Sequence, residues 1–166
     1  ILRLDATDKV AGKAKYAADL KMADMLYVKV LRSPHHHARI LSIDTSRAKA
    51  MPGVEAVVTA KDIPGRANMP NARPQVALLA QDKVRFMGEA VAAVAAVSEV
   101  LATEALSRIK VDYEPLPAVF DPIEAMKPEA PLLHPPEPNG YQVIKVVQVY
   151  LEKGFAQADV VVENTY

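Results

Sequence analysis

The stretch over residues 90–115 reads AVAAVAAVSEVLATEALSRIKVDYEP, and its periodicity is the main indication of the fold class. Its first half has a valine at every third position with alanines between them, a spacing that permits one long helix over residues 90–109. Ser98 favours a different interpretation, because a serine at that point can cap the first turn of a new helix. We therefore predict a buried strand over residues 91–97, a cap at Ser98 and a helix that ends near Arg108.

The helix predicted after Ser98 has an apolar face and a polar face. Apolar residues recur at helical spacing at Ala102, Ala105, Leu106 and Ile109. Glu104 and Arg108 are four residues apart on the other face, where opposite charges attract. Residues 110–114 then alternate between polar and apolar types, which predicts a strand, and the prolines that follow end it.

Four shorter strands are predicted upstream of this stretch. They lie at Leu26–Leu31, Arg39–Asp44, Val54–Thr59 and Val84–Met87. In the first of them Leu26, Val28 and Val30 are two apart, which predicts a strand with one buried face. In the second, Leu41 and Ile43 are expected to point inward.

The connections between these strands are predicted to be a helix, a turn and a loop. Thr45 or Ser46 is expected to cap a short helix that ends at Ala50. A turn is predicted over residues 61–65. Residues 66–75 hold two Asn, two Arg and two Pro with little apolar content, which predicts a loop over the surface.

Prolines divide the chain near its C-terminal end. After a helical turn capped by Asp121, residues 128–138 contain five prolines, which predicts a stiff extended connector. We therefore predict a domain over residues 1–127, a linker over 128–140 and the start of a further domain over 141–166. That last segment is predicted to contain a strand, a helix and a second strand, at Val143–Tyr150, at Leu151–Ala158 and from Val160 onward. It is too small to bury its own core and is expected to pack against something outside the chain.

Charge and composition argue against several classes of function. Twenty basic and twenty acidic residues cancel, and no basic cluster marks a nucleic-acid or membrane-surface role. The chain has no cysteine, which removes disulfides, thiolate nucleophiles and cysteine-ligated metals. The N-terminus shows no secretory signal, and no apolar run is long enough to cross a bilayer. A cytoplasmic protein is therefore expected.

The most chemical-looking feature is the run of His35, His36 and His37. On an extended backbone His35 and His37 can share a face, so the strand offers at most two ligands where a tetrahedral metal site needs more. We interpret the run as surface residues near a turn. Ser33 lacks the Gly-x-Ser-x-Gly frame of a serine hydrolase. No catalytic, cofactor-binding or metal-binding residue is therefore predicted in this chain.

Two other groups of charged residues have structural interpretations. Residues 85–89 place a charge on each side of an aromatic residue next to Gly88, which suits a subunit contact or an ordinary strand end with a bulge. Asp112 and Glu114 lie on the exposed face of a predicted strand, so we assign them a solvated role. The isolated glycines form no phosphate-binding loop.

Several segments in a fixed order resemble one known family. They are DKVAGKAKYAADL from Asp8, LRSPHHHARI from Leu31, PGV from Pro52, VRFMGEAVA from Val84, VDYEPLPAV from Val111 and ADVVVE from Ala158. Together they resemble the molybdenum-binding large subunit of the xanthine dehydrogenase/aldehyde oxidase group, in its N-terminal α/β hammerhead domain. His36 stands where that family usually has a small residue. The resemblance implies an α+β fold of mixed sheets with a few short helices.

The same resemblance implies a larger enzyme. In that family the full subunit holds a molybdopterin cofactor and hydroxylates aldehydes or heterocycles with oxygen from water, and relatives oxidise carbon monoxide or reduce aromatic thioesters. The family's cofactor loops and catalytic glutamate lie C-terminal of every segment matched here. Its iron–sulfur clusters, and flavin where present, are on partner domains or subunits. The implied partners are those subunits and the rest of the same chain, and the substrate stays open.

Three hypotheses cover these observations. The chain begins without Met and ends inside a strand-like run, so we expect a non-catalytic structural and subunit-packing piece of such an enzyme. The alternative is a stand-alone binding or adaptor domain that kept the fold and lost the chemistry. The third is a small metalloenzyme built on His35 and His37.

Overall fold

The computed structural model describes residues 3–64, 77–136, 138–140 and 150–164. These residues fall into two compact units, one up to Val119 and the other from Phe120 onward. The predicted domain over residues 1–127 and the predicted linker over residues 128–140 stay predictions. The assignment of residues 141–166 to a further domain stays a prediction.

The first unit has the predicted mixed architecture of short strands and short helices. Its described strands are β1 (Tyr27–Arg32), β2 (Ala38–Asp44), β3 (Val54–Thr59), β4 (Lys83–Val84), β5 (Ala90–Ala96) and β6 (Lys110–Pro115). Its described helices are α1 (Ala6–Val10), α2 (Ser46–Lys49) and α3 (Glu99–Ser107), with 3₁₀ turns at Ala17–Asp19 and Ala60–Asp62. The strands form two antiparallel sheets, ordered β1-β5-β3 and β4-β2-β6.

β5 is the centre of the first sheet, which confirms the predicted strand before Ser98. It pairs with β1 on one side and β3 on the other, so ladder hydrogen bonds form along both of its edges. Ala92 and Val94 are fully buried in a cluster with Ala48 of α2 and Ala105 of α3. Pairing and burial therefore outweigh the helical tendency of an alanine-rich segment.

α3 begins and packs as predicted. Ser98 Oγ accepts a hydrogen bond from the Leu101 N–H at 3.2 Å. Ala102 is fully buried on the inner side of the helix, and Arg108 lies 3.3 Å from Glu104 on the exposed side. The strand predicted after the helix is β6.

The second sheet has β2 at its centre, and one prediction for β2 is wrong. Leu41 is 61 % exposed and does not point inward. The register of β2 against β6 shifts between Ile40 and Ser42, so Leu41 is the extra residue of a β-bulge. The bulge interrupts the alternation, so Ile40 and Ile43 both pack against the core.

The buried face predicted for β1 is also wrong. Val28 is 62 % exposed, whereas Leu31, on the opposite face, packs against the core cluster beneath α3. Lys29 shares the face of Leu31 and reaches Glu99 of α3 at 2.5 Å. A long lysine stem can cover apolar surface while its ammonium group stays near water, so polarity does not identify the covered face.

Two local predictions need smaller corrections. The strand predicted at Val84–Met87 is confined to β4, because the residues after Val84 form a turn. α2 receives no side-chain cap from Thr45, and Asp44 Oδ1 instead accepts the Ser46 N–H at 2.9 Å. The predicted loop over residues 66–75 lies outside the described residues.

The second unit contains α4 (Pro122–Ala125) and α5 (Leu151–Ala156) among its described residues. The Asp121 cap is confirmed, because its Oδ1 accepts the N–H groups of Ile123 and Glu124 at 2.8 and 2.9 Å. The strand predicted at Val143–Tyr150 lies outside the described residues except for Tyr150. The strand predicted from Val160 is wrong for this structure, because residues 160–164 form no ladder and their valines are exposed.

Candidate functional site

Three buried polar side chains mark one end of the first sheet. Ser33, His37 and Glu89 are the buried polar residues of the described chain, and each is at most 6 % exposed. Ser33 and His37 lie in the turn of residues 32–37, which joins β1 to β2, and Glu89 lies in the turn of residues 85–89, which precedes β5. Buried polar groups require hydrogen-bond partners. These two turns form the candidate site and are called the two-turn site below.

The first turn is held by Ser33. Its Oγ accepts the His35 N–H at 3.0 Å and donates to the His35 carbonyl oxygen at 3.1 Å. The Ser33 side chain also hydrogen-bonds the side chain of Tyr113. The hydroxyl therefore supports the turn and the neighbouring strand, and these contacts do not pair it with a histidine ring as a nucleophile requires.

The second turn is held by Glu89. One carboxylate oxygen accepts the Arg85 N–H at 2.5 Å, and the other lies 3.7 Å from the Arg85 guanidinium. Arg85 also donates to the Lys83 carbonyl oxygen at 3.0 Å. Burial, and after it repulsion from Arg85, lowers the pKa of the Lys83 ammonium group. The two charges that flank Phe86 in sequence thus bind each other and close the turn.

Main-chain hydrogen bonds join the two turns. Ser33 donates its N–H to the Glu89 carbonyl oxygen at 2.9 Å, and Gly88 donates its N–H to the Ser33 carbonyl oxygen at 2.8 Å. Arg32 adds a bond from Nη1 to the Gly88 carbonyl oxygen at 2.9 Å. Gly88 has a φ of +92°, a conformation that favours glycine. The join between the turns therefore depends on glycine at this position.

His37 connects the first turn to the end of β6. Its Nδ1 lies 2.7 Å from the Pro117 carbonyl oxygen, and its own carbonyl oxygen accepts the Leu116 N–H at 2.9 Å. A carbonyl oxygen only accepts, so Nδ1 carries the proton in this bond. Nε2 is buried without a hydrogen-bond partner in the described part of the chain. The surface interpretation of the histidine run holds for His36, which is exposed, and is wrong for His37.

His35 and Tyr113 close the site on one side. The two rings meet edge to face with centroids 4.9 Å apart. Burial raises the pKa of the Tyr113 hydroxyl, and the hydrogen bond with Ser33 opposes part of that shift. Phe86 and Met87 are exposed on the second turn. The interpretation of residues 85–89 as a subunit contact stays a prediction.

The chemistry of the two-turn site is structural. In the described ranges, no group of three or more His, Asp or Glu side chains could hold a metal ion. The carboxylates of Asp112 and Glu114 bind Ser42 Oγ and Arg39 Nη1, each at 2.7 Å, on the surface of the second sheet. That the chain itself carries no catalytic, cofactor-binding or metal-binding residue stays a prediction.

The sequence pattern did not single out the burial of Glu89 or His37. Glu89 offered a signal, because a lone carboxylate directly before an apolar strand must find a partner if it is buried. His37 offered none, because its partner Pro117 is 80 residues further along the chain. Tyr113 was assigned only to an alternating strand.

Known proteins of one family are similar to this chain. The family model described as "Aldehyde oxidase and xanthine dehydrogenase, a/b hammerhead domain" matches residues 11–117, which include both turns. The chain is 42 % identical over 165 residues to a probable xanthine dehydrogenase subunit of Bacillus subtilis, an alignment that covers 99 % of this chain and 22 % of the relative. It is 41 % identical to the nicotinate dehydrogenase large molybdopterin subunit of Eubacterium barkeri, over 99 % of this chain and 39 % of the relative.

The fold is also similar to that of a solved enzyme. The aldehyde oxidoreductase from Desulfovibrio gigas superposes with a TM-score of 0.81 at 35 % identity, over 95 % of this chain and 19 % of that one. This chain therefore spans a minor share of the length of each of these relatives. No helix in the part of the chain that the structure describes is long and apolar enough to cross a membrane.

Proposed function

The chain belongs to the aldehyde oxidase and xanthine dehydrogenase family through its α/β hammerhead domain, and from this we propose that it is the N-terminal structural domain of a molybdopterin-dependent oxidoreductase. One observation supports the proposal above all. The family match includes both turns of the two-turn site, and the buried polar groups there hold the turns together. Within the enzyme the domain serves in folding and in subunit packing, and catalysis belongs to the rest of the polypeptide.

The described residues do not fit a molybdopterin site. Ser33 and Glu89 are used by the turns, and His37 Nδ1 is used by Pro117. Among the described residues, the glycines with positive φ are Gly12, Gly53 and Gly88, and they are isolated in the sequence. They therefore do not form the run of convergent backbone N–H groups that cradles a phosphate. We accordingly assign the cofactor to other domains, and no reaction step to this chain.

The proposal extends to the partners and location of the enzyme. Its partners are iron–sulfur and flavin domains or subunits, because this chain has no cysteine to ligate a cluster. A cytoplasmic location is part of the proposal. The substrate is not assigned, because no described residue is placed to select it.

Expression of the complete reading frame in a host that makes molybdopterin tests this function. We expect stoichiometric molybdenum by elemental analysis, and transfer of oxygen-18 from labelled water into an oxidised aldehyde or heterocycle. The 166-residue chain, purified from the same host, is the control and is expected to contain no molybdenum. A complete gene product without molybdenum, or a reading frame that ends close to Tyr166, would contradict the proposal.

A further inference from the structure

The first sheet has two faces, and the helices cover only one of them. On the covered face Ala92 and Val94 of β5 pack in one cluster with Val57 of β3 and Ala105 of α3. Leu31 of β1 packs against the same cluster. The side chains of these residues point toward α2 and α3, because alternate residues of a strand lie on the same face of its sheet.

The opposite face is apolar, and its residues are exposed or half-buried. The strand register places its side chains in two rows across the sheet, which are Val28–Ala95–Ala56 and Val30–Ala93–Val58. We call these six residues the outer face. None of them is buried, and Val28 and Val58 are 62 % and 37 % exposed. A contiguous apolar patch of this kind on a folded unit marks an interaction site.

The sequence of β5 supports this conclusion independently. A strand with one solvated face alternates apolar and polar residues, whereas β5 reads AVAAVAA and is apolar on both faces. The six residues of the outer face carry no charge, and the charged residues of the two neighbouring strands are Lys29, Arg32 and Glu55. Lys29 lies on the covered face with Glu99, and Glu55 lies where the register of β3 shifts. Charged side chains, which protect an exposed sheet from association, are thus absent from the two rows of the outer face.

The shape of the outer face indicates what covers it. Ala93 lies between Val30 and Val58, and Ala95 lies between Val28 and Ala56, so the face is a shallow groove along β5 that is open toward Ala56. A second copy would present the same groove, and two grooves leave a void between them. Large apolar side chains on a different segment fill it. In the similar aldehyde oxidoreductase the matched region is 19 % of the chain, so most of that polypeptide lies outside it.

We infer that the outer face is the surface on which the rest of the full-length polypeptide docks, through an apolar segment that carries large side chains. The inference rests on the proposed function, because it requires that the remaining domains exist. It assigns the packing role of the domain to six residues of β1, β3 and β5. The proposed interface is separate from the two-turn site, and the inference requires no chemistry at either place.

Thiol labelling tests the inference directly. The 166 residues contain no cysteine, so Val58→Cys adds one thiol to the outer face. Maleimide labelling at this position, followed by peptide mass spectrometry, is compared between the 166-residue chain and the folded full-length protein. We expect labelling to slow by about tenfold or more in the full-length protein and to recover in urea. Equal rates in the two folded proteins would overturn the inference.

Charge substitution gives a second measurement that does not depend on a thiol. Val28→Lys and Val58→Lys are expected to lower the yield of monodisperse full-length protein by about tenfold, because a lysine would be buried without a partner. Val100→Lys is the matched control, since Val100 is 79 % exposed on α3. All three variants are expected to leave the folding of the 166-residue chain unchanged. Equal yields for the three full-length variants would contradict the inference.

Two further outcomes separate the possible failures. A 166-residue chain that forms a dimer by light scattering, and loses it on Val28→Lys, would assign the face to a second copy and overturn the inference. Molybdenum content is measured on the same full-length preparation. If the full-length protein contains molybdenum and its Cys at position 58 is labelled freely, the interface alone is refuted. If that thiol is protected and the protein contains no molybdenum, the proposed function alone is refuted.

Discussion

The ring of His37 and the carbonyl oxygen of Pro117 are joined by a 2.7 Å hydrogen bond that spans 80 residues of sequence. This bond fastens the turn after β1 to the segment that follows β6. With the main-chain bonds between Ser33 and the second turn, it makes one end of the unit a single hydrogen-bonded structure. Stability measurements can therefore test this arrangement residue by residue.

His37→Ala is expected to reduce the free energy of unfolding by about 3 kcal/mol, because it leaves a cavity and an unpaired Pro117 carbonyl oxygen. His37→Asn retains a donor near the position of Nδ1 and is expected to recover part of the loss. Urea denaturation followed by circular dichroism measures both. His36→Ala is the control and should change stability by less than about 0.5 kcal/mol, because His36 is exposed. Equal losses for His36→Ala and His37→Ala would contradict the assigned role.

Glu89→Ala is expected to cost about 2 kcal/mol, because the half-buried Arg85 N–H loses its acceptor and, among the described residues, the guanidinium keeps only Asp82, at 3.5 Å, as an acidic partner. Glu89→Gln keeps an acceptor oxygen for the N–H and is expected to cost clearly less. Thermal melts of the two variants provide the comparison. Glu114→Ala removes a more exposed carboxylate and serves as the control. If the Gln and Ala variants of Glu89 were equally unstable, the main-chain bond would not be the stabilising contact.

Gly88→Ala is expected to destabilise the first unit by about 1 to 2 kcal/mol through backbone strain. A Cβ at this position would have nothing within 4 Å, so the positive φ is the only cost that the structure shows. Gly154→Ala is the matched control, because its Cβ also meets open space but lies in α5, where Ala favours the helix. The two substitutions should therefore have effects of opposite sign on the units that contain them. Stabilisation by Gly88→Ala would show that the backbone is not strained there.

Ser98→Ala is expected to reduce stability by about 1 kcal/mol, because the Leu101 N–H loses its acceptor at the start of α3. Hydrogen exchange should show faster opening of the first turn of the helix. Ser107→Ala, near the other end of the same helix, is expected to have a smaller effect, because Ser107 is exposed. Unchanged exchange at Leu101 after Ser98→Ala would contradict the capping role.

Tyr113 is expected to make stability depend on pH in the alkaline range. Burial raises the pKa of its hydroxyl in the folded state above the unfolded value of 10.0. The folded state therefore holds the proton more tightly than the unfolded state. The contribution of the protonated hydroxyl to the free energy of unfolding is complete below about pH 10, and it is lost as pH rises through the folded pKa. Denaturation between about pH 9 and 11 should show that the wild-type chain loses more stability than Tyr113→Phe. Parallel losses in the two proteins would remove Tyr113 as the cause.

The elements around Ser98 could be predicted because their signals are local. A cap, a helical stripe and an i, i+4 ion pair all lie within residues 98–109, and α3 has each of them. The alternating pattern likewise located β6. The cap at Asp121 was predicted correctly for the same reason, since the N–H groups that its carboxylate accepts are at most three residues further along the chain.

The orientation of the strands could not be predicted in the same way. Leu41 faces solvent because a bulge in the pairing of β2 with β6 interrupts the alternation of side chains. The residue types near Leu41 do not indicate that bulge. Val28 faces solvent because α3 lies on the other side of β1. An alternating pattern indicates that a strand has two different faces, but it does not indicate which face is covered.

The order of the strands in the first unit, the caps at Ser98 and Asp121, the absence of cysteine chemistry and the resemblance to the hammerhead family could all be obtained from the amino-acid sequence. Those properties depend on neighbouring residues or on composition, which the chain carries in any conformation. Three properties depend on the folded arrangement: which strand faces are buried, the burial of Ser33, His37 and Glu89 in the described interior, and the partial exposure of an apolar sheet face. These outcomes depend on contacts such as His37 with Pro117 and Ser33 with Gly88, whose partners are far apart in sequence and meet only when the sheets have formed.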